Sequence, residues 1–388
     1  MHDLAPHRGM IRSMTLSRRD ILKVGGLALL GSAVPSPALA AQSVRIAVGR
    51  FRHAIVLTGT DLELRTPMGS GVAKGDRFQL RADKRGLWLD RRQIEDGELY
   101  VTGPSTLSLE GHQYHKRLEV SWRKYQGHAE LLVVHPLPLE TYVLGVVSSE
   151  LPQRWPLEGL KVQAVAARTF AVWQKYRRLA LPYHMESTVL DQVYHGAQRE
   201  HAAAERAVME TLGTVLTFGR RPAEAYFHAA CGGRTESAEE GWGRALPYLP
   251  GSRCGFCGQA NRYQWQERVP RSELDKAFAK LLGESVQELK VLSKTRSGRV
   301  DQLEVRGAKR RAKLSGPDLR RLVGYNRVWS TYLLEFEAGR THFTFTGRGA
   351  GHGVGMCQWG AKGMADAGHR HDAILARYYP GATLTRMF

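Results

Sequence analysis

The chain has 388 residues, and its 56 Lys and Arg against 37 Asp and Glu give a formal net charge of +19. That length holds two domains or one with an insertion, and the composition is that of an ordinary globular protein. The basic excess implies an anionic partner, yet no basic stripe interleaved with aromatics and no nucleic-acid module accompanies it. Nucleic acid is therefore set aside in favour of another acidic polymer, with a generally Arg-rich surface as the plainer reading.

In chain order, Arg18-Arg19 precedes an apolar run over 24–34 and the small residues Ala38 and Ala40. This is the pattern of a twin-arginine export signal covering 1–40. The run is too short to span a bilayer, and no later segment is apolar enough to do so. The expectation is an exported protein of the periplasm or cell envelope, with no integral membrane segment in the mature chain.

Residues 41–112 carry β-branched runs punctuated by Gly59, Gly69, Gly71, Gly75 and Gly86, and read as a small β-rich region. Two strands over 114–122 and 129–135 flank a turn at Gln126-Gly127, opening a main domain expected over 113–388. A long helix is predicted over 157–179, where Leu160, Ala164, Ala167 and Ala171 form a buried stripe. A second helix is predicted over 202–212, and a hairpin pairs 214–218 with 223–228. Residues 262–345 carry helix and strand patterns but no clustered Gly, His or Cys. They read as an inserted α/β subdomain, with plain continuation of the fold as the alternative. The fold class is α+β: mixed β-elements with a long helix beside the active site.

Glu150 stands just ahead of that helix. Pro152 disfavours helix before it and Pro156 suits a first helical turn, so Glu150 is expected at the mouth of the helix beginning near 157. A carboxyl beside apolar surface such as Trp155 has its pKa raised, which suits a general acid; a helix-end surface charge is the plainer reading. His228 and Cys231, then Cys254 and Cys257, are two short-spaced pairs about two dozen residues apart, the bite of a tetrahedral zinc site. A disulfide is the competing reading, which export permits. With four protein ligands the zinc is structural. Finally, Gly347, Gly349, Gly351, Gly353 and Gly355 alternate around His352, leaving a backbone that a bulky ligand can approach. The lysine and hydroxyl of a P-loop are absent, and Cys357 receives no role.

Several segments in order carry a family resemblance: SELPQRWPLEGLKVQAVAARTFAV from Ser149, DQVYHG over 191–196, AYFHAACGGRTESAEEGWG over 225–243, GRGAGHGVGMCQWGAKGMA over 347–365 and RYYPGATL over 377–384. Over roughly 115–388 the chain resembles the stage II sporulation protein D and amidase-enhancer family of peptidoglycan-acting proteins. The resemblance implies a lytic transglycosylase acting on peptide-stripped glycan strands, with Glu150 as the catalytic acid. One carboxylate suffices, because the muramic acid's own C6 hydroxyl is the nucleophile. Arg168, Gln192, Tyr194 and His352, with Gly353 and Gln358, are the candidates to hold the strand, and Trp242 and Trp359 either stack on sugars or fill the core. The rival it implies is a glycan binder that stimulates a cell-wall amidase without cutting.

Overall fold

The computed structural model describes residues 43–387, so the export signal expected over 1–40 lies outside the described residues. The chain first builds β1 (Ser43–Phe51), β2 (Ile55–Arg65), β3 (Gly71–Asp83), β4 (Gly86–Leu89), β5 (Arg92–Ile94) and β6 (Glu98–Leu109). The long strands β7 (His112–Tyr125) and β8 (His128–Pro138) follow. With the later β9 (Met185–Glu186) they make a nine-stranded sheet in the order β5-β4-β3-β2-β6-β7-β8-β1-β9. Within this sheet only β1 with β9 pairs in parallel. Period-two burial of Leu99, Val101, Leu107 and Leu109 on β6, and of Leu118 and Val120 on β7, supplies one face of the core. The boundary expected at 112 falls on the β6–β7 hairpin, where Leu109 pairs with His112. Ladder hydrogen bonds thus carry one sheet and one core across it.

After β8 the chain enters α1 (Leu139–Glu150), a helix the sequence pattern did not announce. Tyr142, Val143, Val146 and Val147 are all buried there. Pro152 holds Leu151 extended (φ −125°, ψ 139°) and ends the helix, so Glu150 is the last residue of α1 rather than the threshold of the next helix. α2 (Leu157–Arg177) begins directly after Pro156. Its burial extends well beyond the predicted stripe, because α1 and α3 (Ala202–Glu210) pack against it along with β10 (Thr214–Phe218).

The predicted hairpin partner of β10 is mostly elsewhere. β10 pairs with β11 (Arg221–Pro222) on one side and with the terminal β20 (Thr383–Arg386) on the other. β12 (Phe227–His228) instead runs parallel to β19 (Met356–Cys357). A short α4 (Ala238–Trp242) follows β12.

Residues 264–348 then form β13 (Gln264–Pro270), α5 (Arg271–Leu282), β14 (Glu288–Lys294), β15 (Val300–Arg306), β16 (Arg311–Ser315), α6 (Gly316–Val323), β17 (Leu333–Ala338) and β18 (His342–Arg348). Two three-stranded sheets, β13-β18-β17 and β14-β15-β16, close on a core that includes Val269, Phe278, Leu303, Phe343 and Phe345. β18 runs straight into the glycine-rich loop, after which come β19, α7 (Gln358–Asp366) and α8 (His371–Tyr378). The fold is α+β. No helix among the described residues is long and apolar enough to cross a membrane.

Candidate active site

Glu150 is half-buried at the C-terminus of α1. Its Oε1 accepts from the Val193 N–H at 3.2 Å and its Oε2 from the Gln358 amide at 3.1 Å. Burial pushes the carboxyl above the usual carboxylate range, against the lowering pull of those two donors. The helix end works in the same direction as burial, since its exposed carbonyls disfavour a negative charge. This is the environment of an acid that keeps its proton to higher pH than a surface glutamate.

Two chain segments deliver those donors. Residues 191–196 lie close against α1 because Gly145 has no side chain; a Cβ there would stand 2.4 Å from the Tyr194 ring. The Asp191 carboxylate fixes one end of this segment, accepting from Gln174 Nε2, Arg178 Nη1 and the Glu186 N–H. Ser149 Oγ accepts from the His195 N–H at 3.2 Å at the other end. Gln358 opens α7, and its Nε2 is shared between Glu150 and Gln163 Oε1, 3.3 Å away on α2.

Most of the residues expected to hold a glycan strand prove to be internal. Arg168 is fully buried, and its Nε and Nη2 donate to the two Glu140 oxygens at 2.7 and 2.6 Å, tying α2 to α1. Gln192 is buried and donates to the Ala167 carbonyl. Tyr194 is buried as well. Because His135 Nε2 donates to the His115 carbonyl, His135 Nδ1 accepts the Tyr194 hydroxyl at 3.1 Å. Gln358 reaches the site, but through Glu150. Of these residues only Gln358 touches the Glu150 carboxyl; the others are bonded within the protein.

The glycine-rich loop is likewise occupied by the protein itself. Gly349, Gly351, Gly353 and Gly355 all have positive φ. A Cβ on Gly351 would stand 2.7 Å from His228 Cβ, one on Gly355 2.1 Å from the Tyr226 oxygen, and one on Gly353 2.4 Å from Arg299 Nε. The close approach predicted from alternation is therefore that of residues 226–232 and Arg299, not of a ligand. His352 donates from Nε2 to the Phe227 carbonyl and accepts at Nδ1 from the Val354 N–H. Burial holds it neutral, with its pKa down to about 4, and both ring nitrogens are committed. It has no proton to give a leaving group.

Four cysteines converge nearby, but not the expected four ligands. The Sγ atoms of Cys231, Cys254, Cys257 and Cys357 all lie within 4.8 Å of one another, buried and without a disulfide. His228 is displaced from the set: its Nδ1 bonds to the Val354 carbonyl at 3.1 Å. The β12–β19 pairing explains the exchange, since it lays His228 beside Cys357 and brings that thiol to the start of α7. Cys357 Sγ accepts from the Cys231 and Gly360 N–H groups at 3.2 and 3.3 Å, as a metal-bound thiolate does. A tetrahedral zinc with Zn–S near 2.3 Å needs sulfurs about 3.8 Å apart. The quartet fits a metal ion of that kind.

Gln163 and Cys357 are the residues that sequence reasoning passed over. Gln163 had a signal, as a lone amide in a helix stretch of small apolar residues. Cys357 had none in spacing, being 126 positions from Cys231.

Two other carboxylates of the matching motifs have partners of their own. Glu158 is bonded to Lys161 and His371, which hold it down to about 2 despite its partial burial. Glu236 is buried and accepts from the Thr295 and Ser297 hydroxyls.

Comparison with known proteins identifies the family. A family model described as stage II sporulation protein matches residues 127–218, which contain α1, Glu150, α2 and the 191–196 segment. A model described as a domain of unknown function matches residues 254–355. The chain is 34% identical over 259 residues to an uncharacterized protein of Brachyspira hyodysenteriae, covering 66% of this chain and 68% of that one. It is 32% identical over 267 residues to stage II sporulation protein D of Bacillus subtilis, covering 65% and 76% respectively. Over 291 residues it is 28% identical to the amidase enhancer of Bacillus subtilis, covering 62% of this chain and 40% of that protein. With 32% identity over three quarters of a stage II sporulation protein D and a matching family model over 127–218, the chain belongs to the stage II sporulation protein D family.

Proposed function

We propose that this protein is an exported lytic transglycosylase that cleaves the bond between N-acetylmuramic acid and N-acetylglucosamine in peptide-stripped glycan strands. The observation that carries the reading is Glu150: a half-buried carboxyl at a helix C-terminus, oriented by two donors and raised in pKa. Of the other motif carboxylates, Glu158 and Glu236 are engaged elsewhere, which supports a one-carboxylate mechanism.

In that mechanism protonated Glu150 gives its proton to the glycosidic oxygen as the C1–O bond breaks and N-acetylglucosamine leaves with a free 4-hydroxyl. The C6 hydroxyl of the muramic acid then closes on C1, and its proton returns to the Glu150 carboxylate. Bonds and protons balance, and the product is a 1,6-anhydro end. Val193 N–H and the Gln358 amide hold the carboxyl and stabilise it in its brief charged state. Peptide removal exposes a lactyl carboxylate on each muramic acid, which suits the net charge of +19.

The cysteine quartet would hold a structural zinc ion. Bound there, zinc supplies no chemistry to the reaction; it ties the 231 and 254–257 loops to the start of α7, one residue from Gln358.

Similarity to the amidase enhancer favours a second reading, in which the protein binds glycan and stimulates a cell-wall amidase. Incubation of the purified protein with amidase-treated glycan separates the two. Release of anhydro-muramic products supports the enzyme, and binding without products supports the enhancer.

A further inference from the structure

A cavity of about 410 Å³ opens between α4 and the 264–348 segment, and Glu150 does not line it. Its walls include Glu240 and Trp242 of α4, Asp301 of β15, Arg320 of α6, Tyr325 and Arg299. The unusual member is Arg320. It is only 9% exposed, its Nε donates to the Val328 carbonyl, and it makes no ion pair among the described residues. Arg299 is more deeply buried but better compensated. Its Nη1 donates to Ser297 Oγ, and Ser297 in turn donates to the buried Glu236 carboxylate. Its guanidinium lies 5.0 Å from the Tyr325 ring centroid, but a buried cation without a countercharge is costly, and Arg320 lines a cavity where a countercharge would fit. Burial brings it down to about 10, so it stays a cation at neutral pH.

The other walls restrict the anion. Glu240 and Asp301 would repel a small polyanion, yet each is an acceptor for hydroxyls; Glu240 takes the Arg296 N–H and Nε, and Asp301 takes the Ser293 hydroxyl. Trp242 keeps 39% of its surface exposed while its ring is fixed edge-to-face against Tyr226, at 4.3 Å, and lies 5.2 Å from His352. A rigid, half-exposed indole beside hydroxyl acceptors is a platform for a sugar ring.

We propose that this cavity binds a saccharide bearing a carboxylate, with the acid on the Arg320 fork, a sugar face on Trp242 and hydroxyls donated to Glu240 and Asp301. The proposal rests on the glycan reading above for the sugar, N-acetylmuramic acid, and assigns it a site separate from the Glu150 carboxyl.

The test uses the full chain carrying Glu150→Gln, titrated calorimetrically with N-acetylmuramic acid, its methyl ester and the dipeptide D-alanyl-D-alanine. The acid should bind at least about tenfold more tightly than the ester, the value of one charge-assisted fork. Arg320→Gln should erase that preference. Trp242→Ala should weaken acid and ester alike with an unchanged melting temperature, and it carries the test if Arg320→Gln does not fold. Equal binding of acid and ester to the parent, unchanged binding in both variants, or a dipeptide that outcompetes the sugar would each overturn the proposal. Because turnover is not read, a failure of the transglycosylase assignment leaves this result interpretable.

Discussion

Glu150 and Glu158 lie eight residues apart, on two consecutive helices, and their surroundings drive them in opposite directions. Glu158 sits in the first turn of α2, where the dipole welcomes a negative charge, Lys161 supplies a cation and His371 bonds to the same carboxylate. Glu150 sits at the last residue of α1, with amide donors and no cation within ion-pair distance among the described residues. One carboxylate is held down to about 2, and the other is raised. The lesson is that helix end and partner type, rather than residue identity, separate a carboxyl held as a charge from one that keeps its proton.

The comparison breaks most sharply under substitution. Glu150→Gln should cut turnover by about 10²–10⁴-fold, the usual worth of a general acid, with the fold intact. Glu158→Gln should leave turnover near the parent's. Metal removal comes next, because Cys357 adjoins Gln358: chelation or Cys357→Ser should destabilise the protein by about 4 kcal/mol or more, read as a fall in melting temperature alongside metal content.

Gln358→Ala sharpens the comparison on the Glu150 side. That amide favours the charged carboxylate, so its loss should raise the Glu150 pKa further. A general acid works only while protonated, so activity falls as pH rises through that pKa. The falling limb of the pH–rate profile should therefore move to higher pH in the variant, a shift that mere loosening of structure would not produce.

The smallest effect belongs to Glu158. Its folded pKa is depressed, so its stabilisation is complete above the ordinary glutamate value and disappears as pH falls from there toward about 2. Glu158→Gln should cost about 0.5–1 kcal/mol at neutral pH, and little at pH 2, by thermal melts at the two pH values.

Local signals were legible in the sequence, and long-range ones were not. The long helix was plain from its small-residue stripe and the flanking Pro156 and basic last turn. α1 was hidden because the run from Tyr142 to Val147 is apolar without period; it is packed on most of its faces, so no polar face marks it. The glycine alternation was visible, but its meaning was inverted, because only the fold brings Tyr226, His228 and Arg299 against those glycines. The same holds for metal ligation. Spacing pairs neighbours, whereas Cys357 joins the other thiols through a parallel β-bridge that spans more than a hundred residues. Arg168 looked like a ligand-binding cation until its partner, Glu140, appeared on a helix the pattern had concealed.

The central claim is that one carboxyl suffices because the substrate provides the nucleophile. The most direct measurement is mass spectrometry of the ends released from amidase-treated glycan by the parent protein and by Glu150→Gln. The account predicts 1,6-anhydro-muramic ends from the parent, one water lighter than hydrolytic ends, and none from the variant. Reducing muramic ends from the parent, or anhydro ends released equally by Glu150→Gln, would contradict it.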